Sequence, residues 1–373
     1  GRTEIAAKSP ANGLLGMSSM GGFWGPELKY AGFDSLVIEG KSKAPVYIAI
    51  DNDDVQIRSA QDLWGMDCYQ TPEAIRNSLS DPDIQVACIG PAGENQVVYA
   101  TIQTRLGNSA GRTGMGAVMG SKNLKALAVR GTKGLSISDS NRFLELCLQA
   151  LDKQKPLISG AETKPVVENE GGAWANVLGN YESSEWEKQK ELKKGHEPFW
   201  QNHKSSVGDG KIGCFNCQVR CVDHYDIPDF GPLMASCNFY QATMWVLKDS
   251  NFRSWYEFSL KCQKMGLDVI TAARMLAWAM ELYENGKITK RDLDGIELNW
   301  GDGTAINIMM DKICNKEGFG EILGSSVQEA KDKVGGNPKE ALNIKGLTMG
   351  GTNVINWRSR AIGSAVNPRG GDE

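Results

Sequence analysis

Three of the nine cysteines fall within eight residues, in Gly213-Cys214-Phe215-Asn216-Cys217-Gln218-Val219-Arg220-Cys221. Sulfurs at C-x2-C-x3-C spacing on one turn converge on a soft metal centre, and iron–sulfur clusters and zinc are the usual occupants. A disulfide framework fits poorly, because the chain is long and its cysteine count is odd. The radical-SAM spacing is the reverse, C-x3-C-x2-C. A zinc ribbon needs a second C-x2-C roughly 15–20 residues away, and none follows. An iron–sulfur cluster, zinc and a purely structural cysteine cluster remain open on the residues alone. The other six cysteines stand singly in apolar runs such as VACIG and FLELCLQA, and read mostly as small buried hydrophobes.

The elements that position this turn differ on its two sides. Residues 1–135 alternate short β-branched runs with glycine turns: DSLVIEG, APVYIAI, DVQIRS, IQVACIG, QVVYATI, GAVMG and ALAVRG. That pattern predicts sheet without the regular helices of a doubly wound fold. GRTGMGAVMGSKN looks superficially like a dinucleotide fingerprint, but no preceding strand, following helix or spaced acid is expected around it. From Ser138 the period becomes helical, with Phe143, Leu144, Cys147, Leu148 and Leu151 at threes and fours. Residues 160–210 read as long loops around short helices. Amphipathic helices are expected near 251–263, 268–284, 304–316 and 320–333. The fold class is therefore α+β: a β-rich domain over 1–136, a mostly helical domain over 137–342 carrying the cysteines, and the start of a further helical domain over 343–373.

With 373 residues, 41% hydrophobic and 23% charged, the chain has the composition of an ordinary globular protein of two or three domains. A net charge of −4 offers no basic stripe for nucleic acid. No apolar run approaches the roughly 20 residues of a membrane span, and no signal-type leader is present, so a cytoplasmic location is expected. A start without methionine and an end in NPRGGDE suggest a piece of a longer chain.

KSPANGLLGMSSMGGFWGPELKYAGFDSLVIEGKSKAPVYI, IGPAGENQVVYATI, AGRTGMGAVMGSKNLKALAVRGTKG, the cysteine triplet and KMGLDVITAARMLAWAMEL, in that order, closely resemble the aldehyde ferredoxin oxidoreductase family of tungsten enzymes. The resemblance implies tungsten or molybdenum held by two pyranopterins, with a [4Fe-4S] cluster on Cys214, Cys217 and Cys221. It also leaves room for a magnesium ion bridging the pterin phosphates. The fourth cluster cysteine belongs, in the family, to a downstream motif that this sequence does not contain. By position, Arg2, Ser19, Gly21, Ala110 and Arg112 match family residues that touch the pterins, their phosphates or the magnesium. Gly22, Gly111 and Gly114 suit the same task, since glycine lets backbone N–H groups approach phosphate oxygens and arginine supplies forked bonds. The family's Asp-x-x-Gly-Leu-Asp motif reads Gln263-Lys264-Met265-Gly266-Leu267-Asp268 here, so Gln263 brings no charge. Asp268 also suits the N-cap of the following helix.

The family has an aldehyde-oxidising branch and a dearomatising branch, the catalytic subunit of class II benzoyl-CoA reductase, in which a cysteine ligates tungsten. Cys237, in DFGPLMASCNFYQ, is the candidate for that ligand, with a core cysteine as the bland alternative. Together with RSRAIGSAVN and NPRGGDE it leans the resemblance toward the reductase branch. Glu168 and Glu170 are the carboxylate candidates for proton donor. Trp174, Phe239, Tyr240 and Trp245 are expected in the pocket lining. His196, His203 and His224 are the only imidazoles, each more simply read as structural. The implied partners are an aryl-CoA or aldehyde substrate and a ferredoxin or iron–sulfur electron-transfer subunit, in an oligomer. A non-catalytic electron-transfer or scaffold paralogue is the alternative from another class, supported by the Gln263 change.

Overall fold

The computed structural model describes residues 2–159, 207–217, 222–227, 229–235, 241–335, 343–349 and 358–371. An antiparallel hairpin of β1 (Thr3–Lys8) and β2 (Leu15–Met20) leads into α1 (Trp24–Ala31). Next come β3 (Val46–Asp51), β4 (Asp54–Ser59), α2 (Gln70–Leu79), β5 (Gln85–Cys88) and the short α3 (Pro91–Glu94). They are followed by β6 (Ile102–Gln103), β7 (Ser109–Ala110), α4 (Met115–Ser121) and β8 (Leu124–Arg130). The six strands from β3 onward form one sheet in the order β4-β3-β8-β5-β6-β7, in which β3 and β8 run parallel and the other pairs antiparallel.

The central position of β8 explains its sequence. Leu124–Val129 is buried throughout, as a strand covered on both faces must be. Between Val46 and Tyr47 the β8 partner moves from Leu124 to Ala126, so Lys125 is an extra residue in β8. That bulge puts Leu124 and Leu127 on one side, with Met20, Trp24 and Leu28 under the hairpin and α1. Ala126 and Ala128 face the other way, against Ile75 of α2. The displaced Lys125 is wholly buried, where its ammonium meets Glu94 and the Met66 carbonyl.

After α5 (Ser140–Ser159), the strands β9 (Val207–Ile212), β10 (Val222–Ile227) and β11 (Gly231–Ala235) form an antiparallel sheet around the cysteine turn. A π-helical turn over Gln241–Val246 precedes α6 (Phe252–Met265), α7 (Val269–Glu284), α8 (Gly303–Asn315), α9 (Phe319–Leu323) and α10 (Val327–Val334). The chain then forms a small hairpin of β12 (Asn343–Ile344) and β13 (Leu347–Thr348), and α11 (Arg358–Val366). The helices share one core with the turn after α3: Val97, Tyr99 and Ala100 pack among Leu276, Trp278 and Met309. The Tyr99 hydroxyl crosses between them to donate to the Leu323 carbonyl at 2.9 Å.

The α+β class, with a β-rich N-terminal part followed by a mostly helical one, is as expected. Several local assignments are not. DSLVIEG forms no strand, and QVVYATI contributes only its last residue, Ile102, to β6. GAVMG lies inside α4, so the glycine-rich segment does stand between a short strand, β7, and a helix, as a dinucleotide fingerprint would. The stretch expected as one helix over 320–333 breaks at Gly324–Ser326, where Ser326 and Glu329 close a capping box on α10.

Candidate functional site

The cysteine turn docks on the glycines that follow β2. The Cys217 N–H donates to the Cys214 carbonyl at 2.9 Å, closing a turn in which Asn216 adopts φ 54°. Its neighbour Phe215 donates from its N–H to the Gly22 carbonyl at 3.2 Å, and its ring stands edge-on to Phe23 and Tyr30, each 6.2 Å away. The approach is so close that a Cβ on Gly21 would lie 2.6 Å from the Cys214 Sγ and 2.7 Å from Asn108 Oδ1. A side chain at 21 would have to push aside the first sulfur of the triplet or the Asn108 amide, and glycine leaves both in place. Asn108 Oδ1 accepts from the Cys214 thiol at 3.4 Å, and its Nδ2 donates to the Arg105 carbonyl at 3.3 Å.

The 3-10 turn Arg105–Gly107 carries this contact on to the helical part. A Cβ on Gly107 would sit 2.7 Å from both Gln263 Nε2 and the Met234 carbonyl. Gln263, near the end of α6, donates to that carbonyl and accepts from the Tyr69 hydroxyl at 2.6 Å. Burial, reinforced by Tyr256, Cys68 and Asp67, pushes the Tyr69 hydroxyl well above its ordinary range, so it stays a donor. A neutral amide at 263 suits these two partners, because it donates and accepts at once.

A second knot lies around Arg112. Asp268 caps α7, accepting at Oδ2 from the Thr271 N–H at 2.9 Å and the Thr271 hydroxyl at 2.6 Å. Its Oδ1 takes the Arg112 N–H at 3.1 Å, and Oδ2 takes Arg112 Nη1 at 3.1 Å. The guanidinium also reaches Thr271 Oγ1 at 3.1 Å, the Thr348 carbonyl, and the Gly371 carbonyl at 3.5 Å. Arg112 stands at φ 74°, a left-handed conformation that costs a non-glycine residue about 1 kcal/mol or more, and these contacts hold it there. Arg274 lies beside it, donating to the Met349 carbonyl at 3.0 Å; burial, with the Arg112 charge, brings its pKa down to about 10. On the other side of the loop, Ser18 donates to the Gly111 carbonyl at 2.6 Å and bonds Thr113 Oγ1 at 2.9 Å.

Of the nominated residues, the fold therefore brings together Gly21, Gly22 and Cys214 at one contact, and Gly111, Arg112 and Asp268 at another. Gly111 is itself close enough to Asp268 that a Cβ would lie 3.0 Å from Oδ1. Arg2 donates to Ser19 Oγ at 3.1 Å on the first hairpin, and Ala110 ends β7 next to Gly111. Cys214 and Cys217 share the turn, while Cys221, Cys237, Glu168, Glu170, Trp174, His196, His203, Phe239, Tyr240 and the side chain of Trp245 lie outside the described residues. His224 is half-buried on β10, opposite Met234 of β11. Sequence reading missed Tyr69, Asn108, Thr271 and Thr348. Only Thr271 carried a signal, three residues after its cap. A cavity of about 650 Å³ between the first hairpin, α1 and the sheet is apolar for the most part and includes Arg2 alone of the nominated residues.

Two thiols thus share a turn seated against a glycine, and the buried Arg112 stands behind a glycine-rich loop with the half-buried Arg274 beside it. The chain belongs to the aldehyde ferredoxin oxidoreductase family. Its residues 1–131 match that family's N-terminal domain, and residues 153–373 match its domains 2 and 3. It is 31% identical over 389 residues to the tungsten-containing aldehyde ferredoxin oxidoreductase of Pyrococcus furiosus, covering 100% of this chain and 62% of that protein. The aliphatic sulfonate oxidoreductase WOR-like subunit of the same organism is 30% identical, with 63% of its length covered. Among solved structures, the active site complex BamBC of benzoyl coenzyme A reductase with 1,5 dienoyl-CoA superposes with a TM-score of 0.82 at 30% identity, over 99% of this chain and 58% of that one. The chain thus spans about three-fifths of the length of these relatives.

Proposed function

We propose that this chain forms part of a tungsten- or molybdenum-dependent bis-pyranopterin oxidoreductase with a [4Fe-4S] relay, acting in the low-potential reduction of an aromatic acyl-CoA. The observation that carries the reading is the seat of Cys214 on Gly21, which makes the glycine block and the cysteine turn one physical unit. Electron exchange between two centres needs that proximity. Cys214, Cys217 and Cys221 would supply thiolates to the cluster, with a fourth ligand from beyond this sequence. Arg2, Ser19, Gly21, Gly22, Ala110 and Gly111 would line the pterins and their phosphates, with magnesium among the phosphates. Arg112, Asp268 and Gln263 already have protein partners, so their part is to hold the loop that does the binding. When bound, the metal–pterin unit supplies two-electron redox chemistry at a soft metal.

In this reading Glu168 or Glu170 delivers the proton, Trp174, Phe239, Tyr240 and Trp245 exclude water, and Cys237 adds a thiolate that favours a low potential. The likeness to the BamBC complex supports an acyl-CoA substrate and a partner subunit. An iron–sulfur subunit or ferredoxin as that partner and a cytoplasmic location are part of the same proposal, and no described helix is long and apolar enough to cross a membrane. The alternative is aldehyde oxidation to a carboxylic acid, supported by the names of the archaeal relatives. Against a scaffold without cofactor stand the intact glycine-rich blocks, which such a scaffold has no reason to keep.

Metal analysis of the anaerobically purified full-length protein, with turnover of aryl-CoA and aldehyde substrates, tests this. Tungsten or molybdenum with iron and aryl-CoA turnover is expected. Efficient aldehyde oxidation with no aryl-CoA activity would promote the alternative, and protein lacking both tungsten and molybdenum would leave only the scaffold. Cys237→Ser should leave iron unchanged and remove one sulfur from the tungsten X-ray absorption shell; an unaltered shell would remove Cys237 from the site.

A further inference from the structure

The side-chain amide of Asn108 reaches the cysteine turn from a distant part of the chain. Its Oδ1 accepts from the Cys214 thiol at 3.4 Å, across 106 positions. The backbone around Asn108 is well anchored. Its carbonyl takes the Thr104 N–H at 2.8 Å and the Thr104 hydroxyl at 3.1 Å, and the next residue, Ser109, enters β7 opposite Gln103. Gly21 keeps the contact open, because a Cβ there would stand 2.6 Å from the sulfur and 2.7 Å from Oδ1, wedged against two atoms only 3.4 Å apart. Two backbone donors of the turn are already committed: the Phe215 N–H to the Gly22 carbonyl at 3.2 Å and the Cys217 N–H to the Cys214 carbonyl at 2.9 Å. Neither is spent on the Cys214 sulfur, and the Asn108 amide is the group that lies against it.

We propose that Asn108 donates a hydrogen bond to the Cys214 thiolate when that sulfur ligates the iron–sulfur cluster, and so sets the potential of the cluster. The inference rests on the cluster in the proposed function and not on the substrate. A free thiol has a proton to give, so the carbonyl end of the amide faces it. A thiolate ligand has none, and Oδ1 would then set negative charge against negative charge. The two ends of a side-chain amide fill nearly the same space, so half a turn about Cβ–Cγ presents Nδ2–H to the sulfur in place of Oδ1. The bond given up is Nδ2 to the Arg105 carbonyl, which is long at 3.3 Å and exposed, so water can replace it. The bond gained is charge-assisted and therefore stronger. An N–H aimed at a ligating sulfur stabilises the reduced cluster most, because reduction adds negative charge there, and the potential rises. Asparagine suits both states of Cys214, accepting from the thiol and donating to the thiolate.

Redox titration of the full-length holoenzyme, purified anaerobically and followed by the low-temperature spin signal of the reduced cluster, reads this potential directly. Asn108→Leu keeps the volume and removes the donor, and its midpoint should fall by about 59 mV, a tenfold change in the one-electron constant. Asn108→Ser, too short to reach the sulfur, should fall by a similar amount and repeats the test if leucine disturbs the turn. Asn108→Asp should fall furthest, since a carboxylate places a charge against the sulfur. Iron per chain, measured alongside, separates this role from a structural one. A residue that only supports the turn would lower the iron retained and leave the midpoint of the remaining clusters at the parent value. Midpoints unchanged in all three variants, or a rise in Asn108→Asp, would overturn the assignment of Asn108 and leave the cluster standing. A parent with no such spin signal would remove the cluster itself, and this inference with it.

Discussion

Replacing Arg112 with Ala tests how the glycine-rich loop is held. The substitution removes the guanidinium from Asp268, whose side chain is 7% exposed in the pair, and cuts the links to Thr271, Thr348 and Gly371. Removing one partner of a buried ion pair costs about 3–5 kcal/mol, because the other charge is stranded. The left-handed backbone at 112 offers no compensation, since alanine dislikes φ 74° as much as arginine does. Against a total of about 5–15 kcal/mol, that is a large fraction of the stability of the folded chain. Urea unfolding should show it as a lower midpoint. Arg112→Ala/Asp268→Asn should recover part of the loss, because asparagine keeps the cap on α7 and removes the stranded charge. Arg112→Lys keeps a positive charge but cannot serve Asp268, Thr348 and Gly371 together. It should therefore stay near the parent in midpoint while amide exchange around Thr348 and Gly371 speeds up. A loss below about 1 kcal/mol in Arg112→Ala, or no recovery in the double variant, would refute the argument that a buried charge pair joins these three segments.

Gly21→Ala should cost about 1–3 kcal/mol by overpacking and lower the iron retained per chain, because the new methyl displaces the Cys214 sulfur or Asn108; iron assay with thermal unfolding measures both. Gln263→Asp, which restores the residue expected in the family motif, should destabilise at neutral pH by at least about 1–3 kcal/mol, since a carboxylate faces the Met234 carbonyl in place of a donor. That penalty shrinks as pH falls and the new carboxyl is protonated, which unfolding at pH 5 and pH 7 would reveal. Asp249 is held above its usual 3.8 chiefly by burial. The folded state then binds more protons than the unfolded one above that value, so stability falls as pH rises through the raised pKa. Asp249→Asn, which still accepts from the Asn251 N–H, should be more stable than the parent at pH 7 and equal to it near pH 4.

Local order along the chain already determined the cysteine turn, the cap at Asp268 and the helices over 252–265 and 269–284, because sulfur spacing, capping and helical period act over a few residues. The glycine blocks were equally legible as places of close approach. What they approach was not. Gly21 receives Cys214, Arg112 meets Asp268 across 156 positions, and Gln263 meets Tyr69 across 194, and no local pattern encodes such pairs. Small apolar runs were ambiguous for a related reason. GAVMG has no period that separates strand from helix, and packing decided it: a Cβ on Gly120 would run into the Gly93 carbonyl, so α4 lies against α3 backbone to backbone. DSLVIEG has strand composition yet forms none, and Val37 within it is 84% exposed, because β-propensity is realised only where a neighbouring strand completes the hydrogen bonds. The residues of each segment decide what it can do with its own neighbours, whereas partners distant in the chain meet only when the sheet and the helices share a core.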